Sequence, residues 1–131
     1  MSQPVVAANP FANLLGITEP EVVDGRVIMT FAVRDEHGNK GGMIHGGVLL
    51  TLADNTATYA ANVANRDEDG NGPRMITLGL NASMLANQQG GEITVESRIV
   101  RAGRRVTVVH TEISGADGRL LLEASSTHLP S

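Results

Sequence analysis

One stretch limits the folds open to this chain more than any other. From Gly46 to Asn65 the sequence has no proline, keeps glycine to its first two positions, and is rich in leucine and alanine. Those choices favour a helix. Val48, Leu49, Leu52, Ala53, Thr56, Ala60 and Val63 make one broad stripe, and Leu50, Ala57, Ala61 and Ala64 widen it until little polar face is left. A helix apolar nearly all round is buried, so the rest of the chain has to supply its cover.

The rest reads as strands. Residues 1–8 form a loose tail and residues 9–131 one domain, as a length of 131 suggests. Asn9-Pro10 signals a helix start and Gly16 its end, giving a short helix through Phe11, Leu14 and Leu15. Strand-like pieces at Ile17–Val23 and Arg26–Val33 flank Asp24-Gly25, a hairpin signal. After the long helix, a charged loop spans Arg66–Pro73. Period-two patterning then marks Met75–Leu85, Glu92–Arg101, Arg105–Ser114 and Arg119–His128, expected as a four-stranded antiparallel meander. The fold class is α+β, an antiparallel sheet wrapped round one long central helix.

Composition removes several functions. With only three aromatics, Phe11, Phe31 and Tyr59, the chain has no base-stacking platform. The absence of cysteine removes disulfides, thiolate metal sites and cysteine nucleophiles. A net charge of −4 gives no general attraction to nucleic acid or anionic membrane. No apolar run approaches the ~18 residues of a membrane span, and the first ten residues carry no basic side chain or apolar core of a signal peptide. A cytoplasmic location is expected, with no nucleic-acid or membrane partner.

The informative motif is Asn39-Lys40-Gly41-Gly42-Met43-Ile44-His45-Gly46-Gly47, with Asp54 further along the helix. Glycines at a helix start allow close approach to first-turn N–H groups that have no helical partner. With the positive end of the helix dipole, they make a site for a developing oxyanion; they equally suit a tight turn into a buried helix. Asp54 has Leu50, Thr51, Ala57 and Thr58 as its helical neighbours, a poorly solvated place for a carboxylate and so a candidate base or nucleophile. The alternative is a wet strip shared with Asn55. Eight residues separate Gly46 from Asp54, ~12 Å along a helix at ~1.5 Å per residue. One chain cannot bring both to one carbonyl carbon. If both act on one substrate, the carboxylate comes from a second subunit whose helix runs antiparallel.

The pattern Asn39-x-x-Gly42-x-x-His45-Gly46-Gly47, followed by Asp54, resembles the hotdog-fold acyl-CoA thioesterases of the phenylacetyl-CoA (PaaI-like) group. The resemblance spans most of the chain, from the Asn9–Gly16 helix to the last strand. It implies that the Gly46 N–H polarises a thioester carbonyl, and that Asp54 of the partner subunit serves as nucleophile or general base. It further implies that Asn39 and His45 help position substrate and water, that Thr77 assists from the next strand, and that Gly47 belongs to the substrate-binding turn. The general-base role is favoured because Asn39 and Thr77 can hold a water. Thr77 also reads as an ordinary strand residue. The implied substrate is an acyl- or aryl-CoA thioester and the implied assembly a homodimer, or a tetramer as a dimer of dimers. No metal and no cofactor beyond the substrate's own coenzyme A are implied.

Arg98, Arg101, Arg104 and Arg105 cluster around Ala102-Gly103 with no acid among them. Arg101, Gly103, Arg104 and Arg105 suit the phosphates of coenzyme A; a solvated edge that resists aggregation is the other reading. Arg66 and Arg74 are weaker candidates. Asp67-x-Asp69-x-Asn71-Gly72 copies half a calcium loop, but Leu78 stands where the final glutamate is needed. Two rival functions share the fold. A non-catalytic acyl-CoA sensor would not need Asp54, and an enoyl-CoA hydratase would need a His/acid motif that the long helix lacks.

Overall fold

The computed structural model describes residues 9–131; the tail expected over residues 1–8 lies outside the described residues. The first helix, α1 (Pro10–Leu15), starts as its sequence dictates. The Asn9 side chain accepts from the Ala12 N–H at 3.2 Å, Pro10 occupies the first turn, and Gly16 closes the helix in the left-handed region at φ 84°. The strand expected to begin at Ile17 is shorter, β1 (Glu21–Val23). The Ile17 N–H bonds back to Ala12 O at 3.0 Å and its side chain is buried, so this backbone completes the helix cap instead of a ladder. Asp24 and Gly25 both take positive φ (50° and 78°), the hairpin geometry their sequence signals, and lead into β2 (Arg26–Val33).

The long helix is α2 (Gly46–Ala64). It is followed by β3 (Met75–Met84), β4 (Gly91–Ala102), β5 (Thr107–Ser114) and β6 (Leu120–Pro130). The six strands form one antiparallel sheet in the order β1-β2-β4-β5-β6-β3. This corrects the expected four-stranded meander. Only β4, β5 and β6 follow one another. β2 occupies the free side of β4 from Arg26↔Arg98 to Val33↔Gly91, so β3 takes the remaining edge beside β6. β5 also begins later than expected, leaving Arg105 in the turn.

The sheet curves over α2. Leu49, Leu52 and Ala53 pack with Met29, Phe31, Ile93, Val95, Ile113, Leu121 and Leu122. Ala57, Ala60 and Ala61 pack with Val27, Met75 and Val109 toward the helix C-terminus. Small residues there let helix and sheet approach closely. The helix is nevertheless not covered all round. Leu50, Asp54, Thr58 and Asn62, spaced four apart and therefore on one face, stay partly or fully open in the single chain. Among the described residues no helix is long and apolar enough to cross a membrane.

The inner face of the sheet holds a polar seam. Ser97 and Thr111 satisfy each other at 2.7 Å, and His128 on β6 is fully buried with its Nε2 2.8 Å from Ser126 Oγ. Burial pushes the His128 pKa below the ordinary histidine value, with the negative charge of Asp54 pulling weakly the other way. The unfolded chain therefore takes up a proton at residue 128 in a pH range where the folded chain refuses it, and stability falls with pH there. The window opens below about pH 6.5, the ordinary histidine value. Urea midpoints at pH 7.5 and 5.5 should fall further for the wild type than for His128→Gln. Equal falls would mean that residue 128 carries none of the acid sensitivity.

Candidate active site

The glycine turn is held from three sides. Asn39 organises its own loop: its Oδ1 accepts from the N–H groups of Gly41 (2.9 Å) and Met43 (3.2 Å), and its N–H bonds Met43 O at 2.7 Å. Asn87, just past β3, clasps Ile44 in both directions, accepting from its N–H at 3.2 Å and donating to its carbonyl at 2.9 Å. The His45 N–H bonds the carbonyl of the buried His37 at 2.8 Å.

His45 then caps α2. Its Nδ1 accepts from the Gly47 N–H at 2.8 Å, and its carbonyl takes the N–H groups of Val48 (2.9 Å) and Leu49 (3.3 Å). The Gly46 N–H is left over, with no acceptor among the described residues. It sits at the positive end of a 19-residue helix. The glycines make room. A Cβ on Gly47 would lie 3.0 Å from His45 Nδ1, and one on Gly46 would lie 3.3 Å from the Met84 sulfur. Residue 47 is thus fixed by the cap itself, while residue 46 offers the free donor.

The carboxylate stands two turns on. Thr77 Oγ1 donates to Asp54 Oδ1 at 2.6 Å within the same chain. That hydroxyl also lies 3.0 Å from Thr58 Oγ1 and 3.4 Å from His128 Nδ1. Asp54 Oδ2 has no partner among the described residues. A bulge between Thr77 and Gly79 aims the threonine. Met75 and Thr77 face the helix, the exposed Leu78 is the extra residue, and Leu80 and Ala82 resume the inward side. Leu50, Thr51, Asp54, Thr58, Thr77 and Leu80 line part of an open groove of about 1240 Å³. Neither His45 nor Gly46 lines it. Tyr59, at the same groove, has its phenol pushed above the ordinary value by burial and by nearby Glu19, against a smaller opposing pull from Arg66.

The arginine hairpin forms a separate feature. Arg101, Gly103, Arg104, Arg105, Val106 and Val108 line a shallow depression of about 320 Å³. The Gly103 N–H bonds Val106 O at 2.9 Å, and a Cβ on Gly103 would lie 3.0 Å from that oxygen, so a side chain there would press on the carbonyl that closes the turn. Among the described residues, Arg101, Arg104 and Arg105 make no ion pair. Arg66 and Arg74 line the large groove instead. The calcium-like stretch is an acidic turn: Asp67 Oδ1 accepts from the N–H groups of Asp69 (3.0 Å) and Asn71 (2.9 Å). The one grouping of metal-ligating atoms among the described residues is His110, Glu112 and Glu123, within 4.8 Å of one another on the opposite sheet face.

The structure thus brings together Asp54 with Thr77, His45 with Gly46 and Gly47, and the hairpin arginines with Gly103. It does not bring these three groups into one place within a chain. Sequence reasoning assigned nothing to His128, Thr58 or Asn87. Thr58 follows Asp54 by one helical turn, and His128 stands directly opposite Thr77 in the β3–β6 ladder. That register is the signal that would have found His128, and it depends on knowing that β3 crosses to β6.

Comparison with known proteins agrees with this architecture. A phenylacetic acid degradation-related protein from Ralstonia eutropha is 32% identical with a TM-score of 0.79, covering 97% of this chain and 92% of that one. Acyl-coenzyme A thioesterase 13 of Homo sapiens is 28% identical over 123 residues, 92% of this chain and 84% of its own length. A hypothetical thioesterase protein from Streptococcus pneumoniae, solved with coenzyme A, is 25% identical with a TM-score of 0.75, covering 88% and 84% of the two chains. The thioesterase superfamily profile matches residues 41–122, running from the glycine turn to the start of the last strand. The sheet curved over a single helix is the hotdog arrangement, and the chain belongs to the thioesterase superfamily.

Proposed function

We propose that this protein hydrolyses an acyl- or aryl-CoA thioester to the free acid and coenzyme A, at sites each built from two copies of the chain. One observation carries the reading. The Gly46 N–H and Asp54 Oδ2 are both without partners among the described residues, yet they lie on one helix, ~12 Å apart along its axis. Two copies of α2 packed antiparallel bring the donor of one to the carboxylate of the other, twice. The midpoint between residues 46 and 54 is Leu50, an apolar side chain 36% exposed in the single chain. The twofold axis then passes beside it. Strand β3 supports the same assembly. It is a ten-residue sheet edge without proline or lysine that exposes Ile76 and Leu78, an edge that calls for a partner.

The chemistry follows from the groups. The thioester carbonyl accepts from the Gly46 N–H of one copy, at the positive end of α2, while Asp54 Oδ2 of the other draws a proton from water. The water oxygen attacks the carbonyl carbon. When the tetrahedral intermediate collapses, the C–S bond breaks and the electron pair leaves with sulfur as a thiolate. His45 and Gly47 shape the oxyanion turn, Asn39 holds its loop, and Thr77 fixes Asp54. The unpaired Arg101, Arg104 and Arg105 around Gly103 receive the phosphates of the nucleotide end. The named activity of the human relative and the bound coenzyme A of the S. pneumoniae protein support this substrate class.

Four measurements check the reading. On a thiol-release panel of acetyl, medium-chain, phenylacetyl and hydroxybenzoyl CoA, at least one thioester should turn over. Asp54→Asn should lower its kcat by roughly 10²–10⁴ with assembly unchanged; near-full activity in that variant would remove the assignment. Leu50→Arg should sediment as a folded monomer without activity, whereas an active monomer would rule out the shared site. Arg104→Ala with Arg105→Ala should raise KM for a CoA thioester and leave a pantetheine thioester, which lacks the nucleotide phosphates, almost untouched. Equal losses on both substrates would make the hairpin structural.

A further inference from the structure

Thr77 Oγ1 meets three groups: Asp54 Oδ1 at 2.6 Å, Thr58 Oγ1 at 3.0 Å and His128 Nδ1 at 3.4 Å. A hydroxyl gives one proton and accepts two. A carboxylate only accepts, so the Thr77 proton goes to Asp54. Both remaining contacts must then be donors to Thr77. Thr58 turns its hydroxyl proton inward, and His128 carries its proton on Nδ1. Nε2 of the neutral ring is then bare and accepts from Ser126 Oγ at 2.8 Å. Every proton in the chain Ser126, His128, Thr77 points toward Asp54. The opposite tautomer would set a bare Nδ1 against the Thr77 oxygen and invite the threonine proton to turn away from the carboxylate. His128 is fully buried, as Ser126 nearly is, so no solvent donor replaces either contact.

We propose that His128 is a positioning residue: set as the Nδ1–H tautomer by its contact with Thr77, and met on Nε2 by the Ser126 hydroxyl, it keeps the Thr77 proton on Asp54 Oδ1 and so leaves Oδ2 facing the groove as the reacting oxygen. This rests on the thioesterase reading for its effect on rate, but not for the tautomer. Acting only through Thr77, His128 has no separate influence once the threonine hydroxyl is gone.

The test is a double-mutant cycle on the full-length protein, joined to a spectroscopic readout. Thr77→Val and His128→Gln should each lower kcat, on the order of 10-fold for the histidine, with KM little changed. The double variant should be no slower than Thr77→Val alone. Asparagine matches the Nδ1 position of histidine and glutamine the Nε2 position, so His128→Asn should recover most of the rate that His128→Gln loses. Multiplicative losses in the cycle, or equal losses for the two amides, would overturn the proposal. Independently of turnover, ¹⁵N-histidine NMR of the wild type should show residue 128 protonated on Nδ1 and bare on Nε2, and Thr77→Val, which removes the acceptor at Nδ1, should mix the tautomers. A ring protonated on Nε2 in the wild type sinks the inference even if the histidine variants fail to fold. A wild type with the expected tautomer but no activity across the thioester panel would leave the positioning network in place and reject the proposed function instead.

Discussion

A six-stranded sheet with one apolar face has to be covered by a single helix of 19 residues, and that imbalance governs the rest of the structure. The sheet responds by curling, so α2 is gripped along Leu49, Leu52, Ala53, Ala57, Ala60 and Ala61. A helix gripped on one side still has another. The row from Leu50 through Asp54 and Thr58 to Asn62 is met by the sheet at the edge strand β3 and otherwise left partly open. The carboxylate therefore sits where it does for a packing reason: it lies on a face of the helix that the single chain leaves partly open. Its cost of burial is offset locally by Thr77, whose hydroxyl is held in turn by Thr58 and His128.

Much of this was written in local sequence. Asn9, Pro10 and Gly16 delimit α1 by short-range chemistry alone, and Asp24-Gly25 accepts the positive φ values that its turn requires. The long helix was legible because propensity and periodicity agree there, and Gly46, Gly47 and Asp54 stood out because each breaks the local rule for a helix interior or start. What stayed hidden is non-local. Nothing in residues 75–84 says that the strand passes over β4 to pair with β6; that follows from β2 having taken the β4 edge first. The contact of His128 with Thr77 was lost with it, since the two are 51 residues apart in sequence. Asn87 was hidden for the same reason: a polar residue in a turn looks like any other until its two bonds to Ile44 are in view.

The charge distribution separates two tasks. Acidic side chains outnumber basic ones, 14 to 10, across the whole chain, yet the hairpin between β4 and β5 gathers Arg101, Arg104 and Arg105 around a turn with no carboxylate to pair them. Arg26, also on the sheet, is instead paired with Glu96 across neighbouring strands. Unpaired, planar guanidinium groups on a tight turn keep their full capacity for a multiply charged anion such as a phosphate. The catalytic groups proposed here carry little net charge between them, so attraction over distance and chemistry at contact are assigned to different parts of the fold.

The bulge at Leu78 has a consequence for how such chains vary. Strand β3 is in effect two short strands joined out of phase. Before the extra residue, odd positions such as Met75 and Thr77 look toward the helix; after it, even positions such as Leu80 and Ala82 do. The first half answers to the carboxylate and the second to the core, and the inserted residue insulates one from the other. Substitutions can accumulate on either side without shifting the pleat of the other half, and deletion of that single residue would join Thr77 and Leu80 on one regular pleat, removing the kink while the downstream apolar side chains stay inward. A strand that carries a carboxylate's hydrogen-bond donor and a packing surface can in this way drift in one task while standing still in the other.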